Sequence, residues 1–456
     1  MDRFEEFCLI SLSQAIGKPI PNKLGVDYSG EGGQFSFIIE EVNQTLREFF
    51  RQKASENPEN LEEANFLKKK VKLLLKQMED VLKKKNEPSN KIIETYSLFS
   101  YALLFTFFRF LSKNEGFDQI ECKKEKRIMK ELFDRTEGNI NYNYQPQFHT
   151  SRIFSYLNYS DISLEAPSLE LGISDGHTSN FVFRDNKLTV GTEPTISNIL
   201  NARKYGNHKN YMCVDAGNIC FKDKVFNTVI SMNTIYHCKP KENAIKEMAR
   251  VLAPGGILAF DDITESFISM RPFSYLFDNL GFNKSKNDFE DYRVKKQTYY
   301  THKDYEEMLS SLGFETIECT PFMSQPLTAL PCMFFDLDYF FMQGQFELDY
   351  YLKNYFRDNL QEVIPPMIAR DQDLCESTGQ YSYNRIIARK KGKPEKNISD
   401  KNILNYLLCP ECHGEVKMNS DYIQCTNCLL KYPVIQGVPL MIPFYSNHYE
   451  MLMQEK

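Results

Sequence analysis

The sequence lacks an excess of positive charge. Its 456 residues include 55 lysines and arginines and 61 aspartates and glutamates, for a formal net charge of −6. Such a chain has no overall attraction to phosphate backbones, so nucleic-acid binding would need a local basic patch. The lysine-rich segments 68–72 and 83–85 belong to a helical pattern with interleaved acidic residues, which favours a solvated helix face. The sequence therefore gives no strong signal for a nucleic-acid partner.

A secretory leader and a long apolar run are also missing. The first residues, MDRFEEFC, place acids where a basic and then apolar leader would stand. The uncharged stretch from Ser97 to Phe108 lies between Glu94 and Arg109, whereas a spanning helix needs about 20 apolar residues. A buried helix is therefore expected, with a membrane-surface role as the alternative. Twelve cysteines without a leader indicate a reducing, cytoplasmic compartment.

The pattern of the chain changes twice along its length. Residues 1–150 carry apolar side chains at helical spacing, as at Leu67 and Val71, which predicts a helical N-terminal domain with a hairpin turn at ENPEN. Residues 151–392 alternate short apolar runs with helical segments, and a cysteine-rich module occupies residues 403–456. The length of the chain agrees with more than one domain.

The middle region predicts an α/β fold. The strand-like runs are SLELG, KLTVG, YMCVDA, FNTVISMN, GILAFDD, FETIECT and NRIIARK. Helical segments at 195–204 and 241–252 separate them, which favours a parallel sheet covered by helices on both faces. An insertion at about 321–380 contains ten Phe or Tyr residues between Cys332 and Phe356. These aromatic residues indicate a packed helix, the commoner case, or a lid over an apolar ligand.

An incomplete glycine loop, LELGISDGHTS, starts at residue 169. A dinucleotide fingerprint G-x-G-x-x-G would need glycines at 172, 174 and 177, but Ser174 and His177 occupy two of these positions. The pattern acid-x-G-x-G-x-G fits better, because Glu170, Gly172 and Gly176 match it. Only Ser174 departs. Glycine at such positions lets a ligand approach the backbone where a Cβ would collide.

Further elements follow the loop in order. Glu193 ends the second strand region, Asp215 follows the third, and RVLAPGG leads into the fifth strand. The segment from Ser168 to Ile263 thereby resembles the class I S-adenosylmethionine-dependent methyltransferases. This resemblance implies a Rossmann-like seven-stranded sheet, S-adenosylmethionine as the cofactor, and a place for Glu170 near the cationic amino group of its methionine moiety.

The same resemblance implies roles for the other residues of the pattern. Gly172, Ser174 and Gly176 would shape the cofactor cradle. Glu193 would accept hydrogen bonds from the ribose hydroxyls, and Asp215 would bind the adenine amino group.

The methyl acceptor is less clearly indicated. Transfer from a sulfonium is a direct displacement, so positioning supplies most of the catalysis, and a base is needed only when the acceptor loses a proton. The candidates at strand ends are His237, Asp261 and Asp262. His237 is as well suited to a structural role, in which it caps the next helix or closes over the cofactor, as to the role of a base. The two aspartates are equally suited to cap a helix that starts at DDITES.

The sequence after the fourth strand fits the metabolite-methylating branch of the family. A small or lipid-like metabolite, methylated at oxygen or carbon, is therefore the favoured acceptor. A tRNA, ribosomal or protein substrate is the alternative, with the C-terminal zinc ribbon described below as a built-in activator. The activator-like ribbon and the lysine-rich helix support it, and the acidic balance opposes it. A scaffold that only binds the cofactor is a third, which the presence of Glu193 and Asp215 disfavours. The sequence does not indicate an oligomeric state.

The C-terminal module contains Cys409, Cys412, Cys425 and Cys428 as two C-x2-C pairs. This spacing is typical of a zinc ribbon with four cysteine ligands in a tetrahedron, in which a closed ligand set implies a structural role. The surrounding LLCPEC and YPVIQGVPLMIP resemble the small zinc-ribbon activators of tRNA, ribosomal-RNA and release-factor methyltransferases. The resemblance implies that the apolar tail at 434–442 packs on the sheet domain of the same chain.

Overall fold

The computed structural model describes the following residues: 120–136, 146–184, 186–269, 298–324, 327–328, 364–379, 381–393, 400–443 and 446. The chain divides into two compact units. The first consists of Ser151–Phe267, Arg293–Phe322 and Tyr381–Lys456, and the second of the remaining segments. The helical hairpin, the helix at Ser97–Phe108 and the aromatic segment 332–356 lie outside the described residues, so they stay predictions, as do the domain boundaries.

Within the described residues, an eleven-stranded sheet forms the core of the first unit. Its strands are β1 (Ser168–Leu171), β2 (Leu188–Thr192), β3 (His208–Val214), β4 (Phe226–Ser231), β5 (Leu252–Ile263), β6 (Phe314–Ser324), β7 (Tyr381–Lys390), β8 (Val416–Met418), β9 (Tyr422–Cys425), β10 (Lys431–Ile435) and β11 (Val438–Met441). The strand order is β6-β7-β5-β4-β1-β2-β3-β11-β10-β9-β8. Strands β1 to β7 coincide with the seven predicted runs, which confirms the predicted α/β fold.

Eight helices are identified within the described ranges. They are α1 (Lys123–Thr136), α2 (Pro146–Tyr159), α3 (His177–Phe183), α4 (Ile196–Ala202), α5 (Lys241–Val251), α6 (Ser266–Ser269), α7 (His302–Ser311) and α8 (Asp371–Thr378). Helices α4 and α5 lie where the sequence predicts them. In α5 the buried Ala244, Ile245 and Met248 recur at helical spacing, so one face of the helix packs into the hydrophobic core around β4 and β5. In the described part of the chain, no helix is both long and apolar enough to cross a membrane.

Strand β7 departs from the parallel arrangement that the alternation of strands and helices predicts. Strands β1 to β5 pair in parallel, but β7 runs antiparallel to β5, with Ile257 opposite Arg389 and Ile263 opposite Tyr383. Both strands are largely buried. An apolar run buried on both faces has the same appearance in either direction, so the sequence pattern carried no information on this point.

The cysteine-rich module extends the same sheet. Strand β11 pairs in parallel with β3, with Leu440 beside Cys213 and Met441 beside Val214. Leu440 packs in a buried cluster with Ile199 of α4. The predicted packing of the apolar tail on the sheet domain is thereby confirmed, and module and sheet belong to one compact unit.

The second unit contains a buried carboxylate that organises its own segment. Asp371, the first residue of α8, is 3% exposed and accepts hydrogen bonds from the backbone amides of Met323 and Ser324, each at 2.7 Å. Burial raises the pKa of Asp371, while these hydrogen bonds favour its charged form.

Candidate active site

The glycine loop between β1 and α3 is packed closely against its neighbours. Gly172 has a φ of +73°, and a Cβ there would lie 2.2 Å from Oγ1 of Thr234. Gly176 has a φ of +80°, and a Cβ there would lie 2.7 Å from Cα of Ala202 in α4. Both positions therefore require glycine, for the backbone conformation and for the close approach. The loop follows the carboxyl end of β1, where parallel α/β sheets bind their ligands.

Ser174 takes the place of the expected middle glycine and adopts a glycine-like backbone. Its φ is +48°, in the left-handed region. Its backbone amide donates a hydrogen bond to Oε2 of Glu193 at 3.2 Å. A non-glycine residue in this conformation is strained by about 1–3 kcal/mol, so the loop keeps the expected path at some cost in stability.

Glu193 is half-buried directly after β2, beside the glycine loop. Its Oε1 accepts a hydrogen bond from Nδ2 of Asn198 at 3.3 Å, and its backbone amide donates to the carbonyl of Met212 in β3 at 3.2 Å. Burial raises the pKa of the Glu193 carboxyl, while the hydrogen bonds from Asn198 and Ser174 favour the charged form. The carboxylate is therefore fixed between the loop and α4.

Asp215 is exposed at the carboxyl end of β3. Its Oδ1 accepts a hydrogen bond from the backbone amide of Gly217 at 2.9 Å, and its carbonyl accepts one from the amide of Asn218 at 3.0 Å. Nδ2 of Asn218 donates to the carbonyl of Pro410 in the cysteine-rich module at 2.6 Å. The turn that carries Asp215 is thus tied to that module.

Glu170 lies below the loop and is buried, with 1% of its surface exposed. Oγ of Ser179 donates to its Oε1 at 2.8 Å, and Nε2 of His208 lies 2.7 Å from its Oε2. Both oxygens are therefore engaged by protein groups. Its contact with the methionine amino group stays a prediction, one that this burial does not favour.

Asp261 and Asp262 lie inside β5, so they do not cap a helix, because the strand continues to Ile263. Asp261 is 1% exposed; its Oδ2 accepts from the hydroxyl of Tyr159 at 2.8 Å and its Oδ1 from the backbone amide of Asn233 at 2.9 Å. Burial raises the pKa of Asp261 to about 7. These contacts support a structural role in fixing the loop after β4, and the base role stays a prediction.

Asp262 faces the other side of the strand and is also 1% exposed. Its Oδ2 contacts Nζ of Lys241 and the hydroxyl of Tyr305. Burial raises the pKa of Asp262, and the ammonium group of Lys241 opposes this shift. A carboxylate engaged in this way is inaccessible to a methyl acceptor without rearrangement.

His237 is the exposed member of the three predicted catalytic residues. It ends the short 3-10 segment Ile235–His237 after β4, and its ring lies 4.2 Å from the ring of Tyr236. The ring of Tyr236 in turn lies 6.1 Å from that of Tyr383 in β7. His237 is therefore exposed at the carboxyl ends of the strands.

Two residues of this region were missed by sequence reasoning. Tyr159 reaches Asp261 from a helix 102 residues away, and nothing in the sequence indicates that pairing. For Lys241 an acidic partner could have been predicted, because a cation in the first turn of a helix is unfavourable next to the positive end of the helix dipole. Asp262 is that partner.

The four cysteines of the C-terminal module converge. Their Sγ atoms all lie within 4.8 Å of one another, with Cys409 to Cys428 at 3.6 Å and Cys412 to Cys425 at 3.4 Å. A tetrahedral zinc ion with Zn–S bonds of about 2.3 Å places its sulfurs about 3.8 Å apart. The spacing of the sulfurs therefore fits such an ion.

Comparison with known proteins bears on the central domain. Residues 169–260 match the family model described as a methyltransferase domain. The ubiquinone/menaquinone biosynthesis C-methyltransferase UbiE of Citrobacter koseri is 27% identical over 156 residues, which cover 31% of this chain and 59% of that protein. The mouse protein named "Probable tRNA methyltransferase 9B" is 52% identical over 50 residues, which cover 10% of this chain and 11% of that protein.

Among solved structures, phosphoethanolamine N-methyltransferase 2 from Haemonchus contortus is 16% identical, with a TM-score of 0.35, over 57% of this chain and 59% of that chain. The chain spans about half the length of the UbiE relatives that it matches. The family match covers most of the region from β1 to β5, including the glycine loop, Glu193 and Asp215. The segment from residue 169 to residue 260 is therefore a methyltransferase domain of the S-adenosylmethionine-dependent class.

Proposed function

We propose that the chain transfers a methyl group from S-adenosylmethionine to a small or lipid-like metabolite, at oxygen or carbon. One observation carries the proposal. The ends of β1, β2 and β3 present the glycine loop, the fixed carboxylate of Glu193 and the exposed carboxylate of Asp215 in the order that an adenosyl cofactor requires.

Each of these groups fits one part of the cofactor. The loop with Gly172, Ser174 and Gly176 takes the methionine and ribose portion, because it follows the carboxyl end of β1 and its left-handed backbone, packed against Thr234 and Ala202, is fixed there. Glu193 accepts hydrogen bonds from the ribose hydroxyls, and Asp215 accepts one from the adenine amino group. When bound, the cofactor supplies an electrophilic methyl group, and the protein residues orient it toward the acceptor.

Support for a metabolite acceptor comes from the relatives named as ubiquinone/menaquinone C-methyltransferases. His237 is the best-placed side chain to contact the acceptor, because it is exposed at the strand ends. We assign structural roles to Asp261 and Asp262. Asp261 fixes the loop after β4 that carries His237, and Asp262 anchors α5 through Lys241.

We assign a structural zinc ion to the cysteine cluster. Cys409, Cys412, Cys425 and Cys428 supply four thiolates at tetrahedral spacing, and no fifth ligand is needed. The ion stabilises the module whose strand β11 completes the pairing of β3.

A tRNA, ribosomal or protein acceptor is the second candidate, favoured by the short match to the mouse protein named as a tRNA methyltransferase. Incubation of the full chain with methyl-labelled S-adenosylmethionine and a fractionated cell extract separates the two. Label in the small-molecule or lipid fraction supports the metabolite. Label in RNA or protein supports the second candidate and contradicts the first.

A further inference from the structure

A buried chain of three polar side chains crosses the sheet beneath the glycine loop. Ser179 of α3 donates to Glu170 of β1 at 2.8 Å, and Glu170 pairs with His208 of β3 at 2.7 Å. The side chains of His208 and Glu170 are 1% and 2% exposed. A carboxylate this far from water is tolerated only when its oxygens are paired, so the arrangement depends on His208.

A glycine makes this crossing possible. Gly191 lies in β2, the strand between those that carry Glu170 and His208. A Cβ at this position would lie 2.7 Å from the imidazole ring of His208. The ring thus occupies space that any other residue at 191 would fill, and it packs against the strand end that leads to Glu193.

The elements joined by this bridge are the ones that carry the proposed cofactor residues. Glu170 leads directly into the glycine loop, and Ser179 lies in the first turn of α3, just after Gly176. Gly191 shortly precedes Glu193, whose carboxylate accepts the amide of Ser174. The bridge joins α3, β1 and β3, and the hydrogen bond from Ser174 joins the glycine loop to the end of β2.

We propose that His208 is a positioning residue for cofactor binding. It acts through Glu170 and Ser179, which keep the glycine loop, α3 and the end of β2 at the spacing that receives S-adenosylmethionine. His208 contacts neither the cofactor nor the reacting atoms. This inference rests on the proposed function and deepens it. Loss of the imidazole therefore raises the KM for S-adenosylmethionine and leaves kcat at saturating cofactor nearly unchanged.

Calorimetric titration of the full chain with S-adenosylhomocysteine tests the role of His208. His208→Leu removes the donor to Glu170, and we expect Kd to rise about tenfold or more. His208→Gln keeps a donor for the carboxylate and is expected to stay within about threefold of the wild type. Ile386→Ala is the matched control, because Ile386 is fully buried in β7, away from the bridge. This control should lower Tm and leave Kd unchanged.

The outcomes distinguish a failure of the proposed function from a failure of the role assigned to His208. A wild-type chain that binds no S-adenosylhomocysteine contradicts the proposed function itself. A wild type that binds, together with His208→Leu binding equally well, overturns only the role of His208. If His208→Leu fails to fold, Ser179→Ala takes its place, since it removes only the outer member of the bridge. We then expect Kd to rise several-fold, and an unchanged Kd overturns the inference.

Discussion

The backbone amide of Ser174 donates a hydrogen bond to the carboxylate of Glu193 at 3.2 Å, and this contact joins the glycine loop to the end of β2. Ser174 makes this contact with a left-handed φ of +48°. Loop and carboxylate are therefore not independent parts of the site, and a change in either one is expected to affect the other.

Replacing Glu193 is expected to weaken cofactor binding most directly. Glu193→Ala removes the proposed ribose acceptor and the partner of the Ser174 amide, and a charge-assisted hydrogen bond contributes about 1.5–3 kcal/mol. We expect S-adenosylmethionine affinity to fall about tenfold or more by calorimetry. Glu307→Ala, an exposed change on α7, is the control. Unchanged affinity in Glu193→Ala would remove Glu193 from the site.

Two changes in the glycine loop should have opposite effects on stability. Gly172→Ala places a Cβ 2.2 Å from Oγ1 of Thr234 and should lower both Tm and cofactor affinity. Ser174→Gly relieves a strained backbone and should raise the free energy of unfolding by about 1 kcal/mol without loss of binding. Thermal and urea unfolding measure both effects. A destabilised Ser174→Gly chain would show that the serine side chain makes a contact of its own.

Asp261 should make stability depend on pH. Burial raises its pKa to about 7 in the folded chain, against about 3.9 when unfolded. The folded chain therefore binds the proton of the Asp261 carboxyl more tightly than the unfolded chain does. The protonated carboxyl accordingly stabilises the fold below about pH 4, and this stabilisation is lost as pH rises through about 7. Asp261→Asn keeps an acceptor for the amide of Asn233 and cannot ionise.

The Asn variant should accordingly gain stability relative to wild type by roughly 1 kcal/mol per pH unit between about pH 4 and 7. Urea unfolding at pH 5, 6 and 7 measures the difference. If the free energies of unfolding of the two proteins differ by the same amount at all three pH values, burial does not raise the pKa of the Asp261 carboxyl.

The cysteine cluster should bind one zinc ion per chain, and Cys425→Ser should lower the metal content toward zero. Because β11 pairs with β3 and both pack in one core, the same change should lower the thermal stability of the sheet unit. Cys319→Ser, a change in β6 outside the cluster, should retain the metal. A Cys425→Ser chain with full stability but no activity would instead place the module at the acceptor.

The sequence was sufficient for the features that leave a local pattern. The seven strands of the methyltransferase sheet could be predicted because each is a short apolar run between helical segments. The cysteine cluster could be predicted because its spacing alone identifies a ligand set. The positions of Glu193 and Asp215 at strand ends followed from the same strand assignment.

Features that depend on contacts between residues far apart in the sequence could not be predicted from local patterns. Glu170 can pack against His208 only because Gly191, in the strand between them, has no side chain. This arrangement involves three strands, so no local pattern predicts it. Asp261 is a candidate base from its place at a strand end, but it is buried and accepts a hydrogen bond from Tyr159, which lies in a helix far away in the chain. Burial and pairing of this kind are set by tertiary packing.

Cofactor identity is the central claim, and titration of the full chain with S-adenosylmethionine and, separately, with NADH tests it most directly. We expect saturable binding of S-adenosylmethionine at a single site and no binding of NADH, because the glycine loop departs from the dinucleotide fingerprint at Ser174 and His177. Tight binding of NADH without binding of S-adenosylmethionine would contradict the assignment.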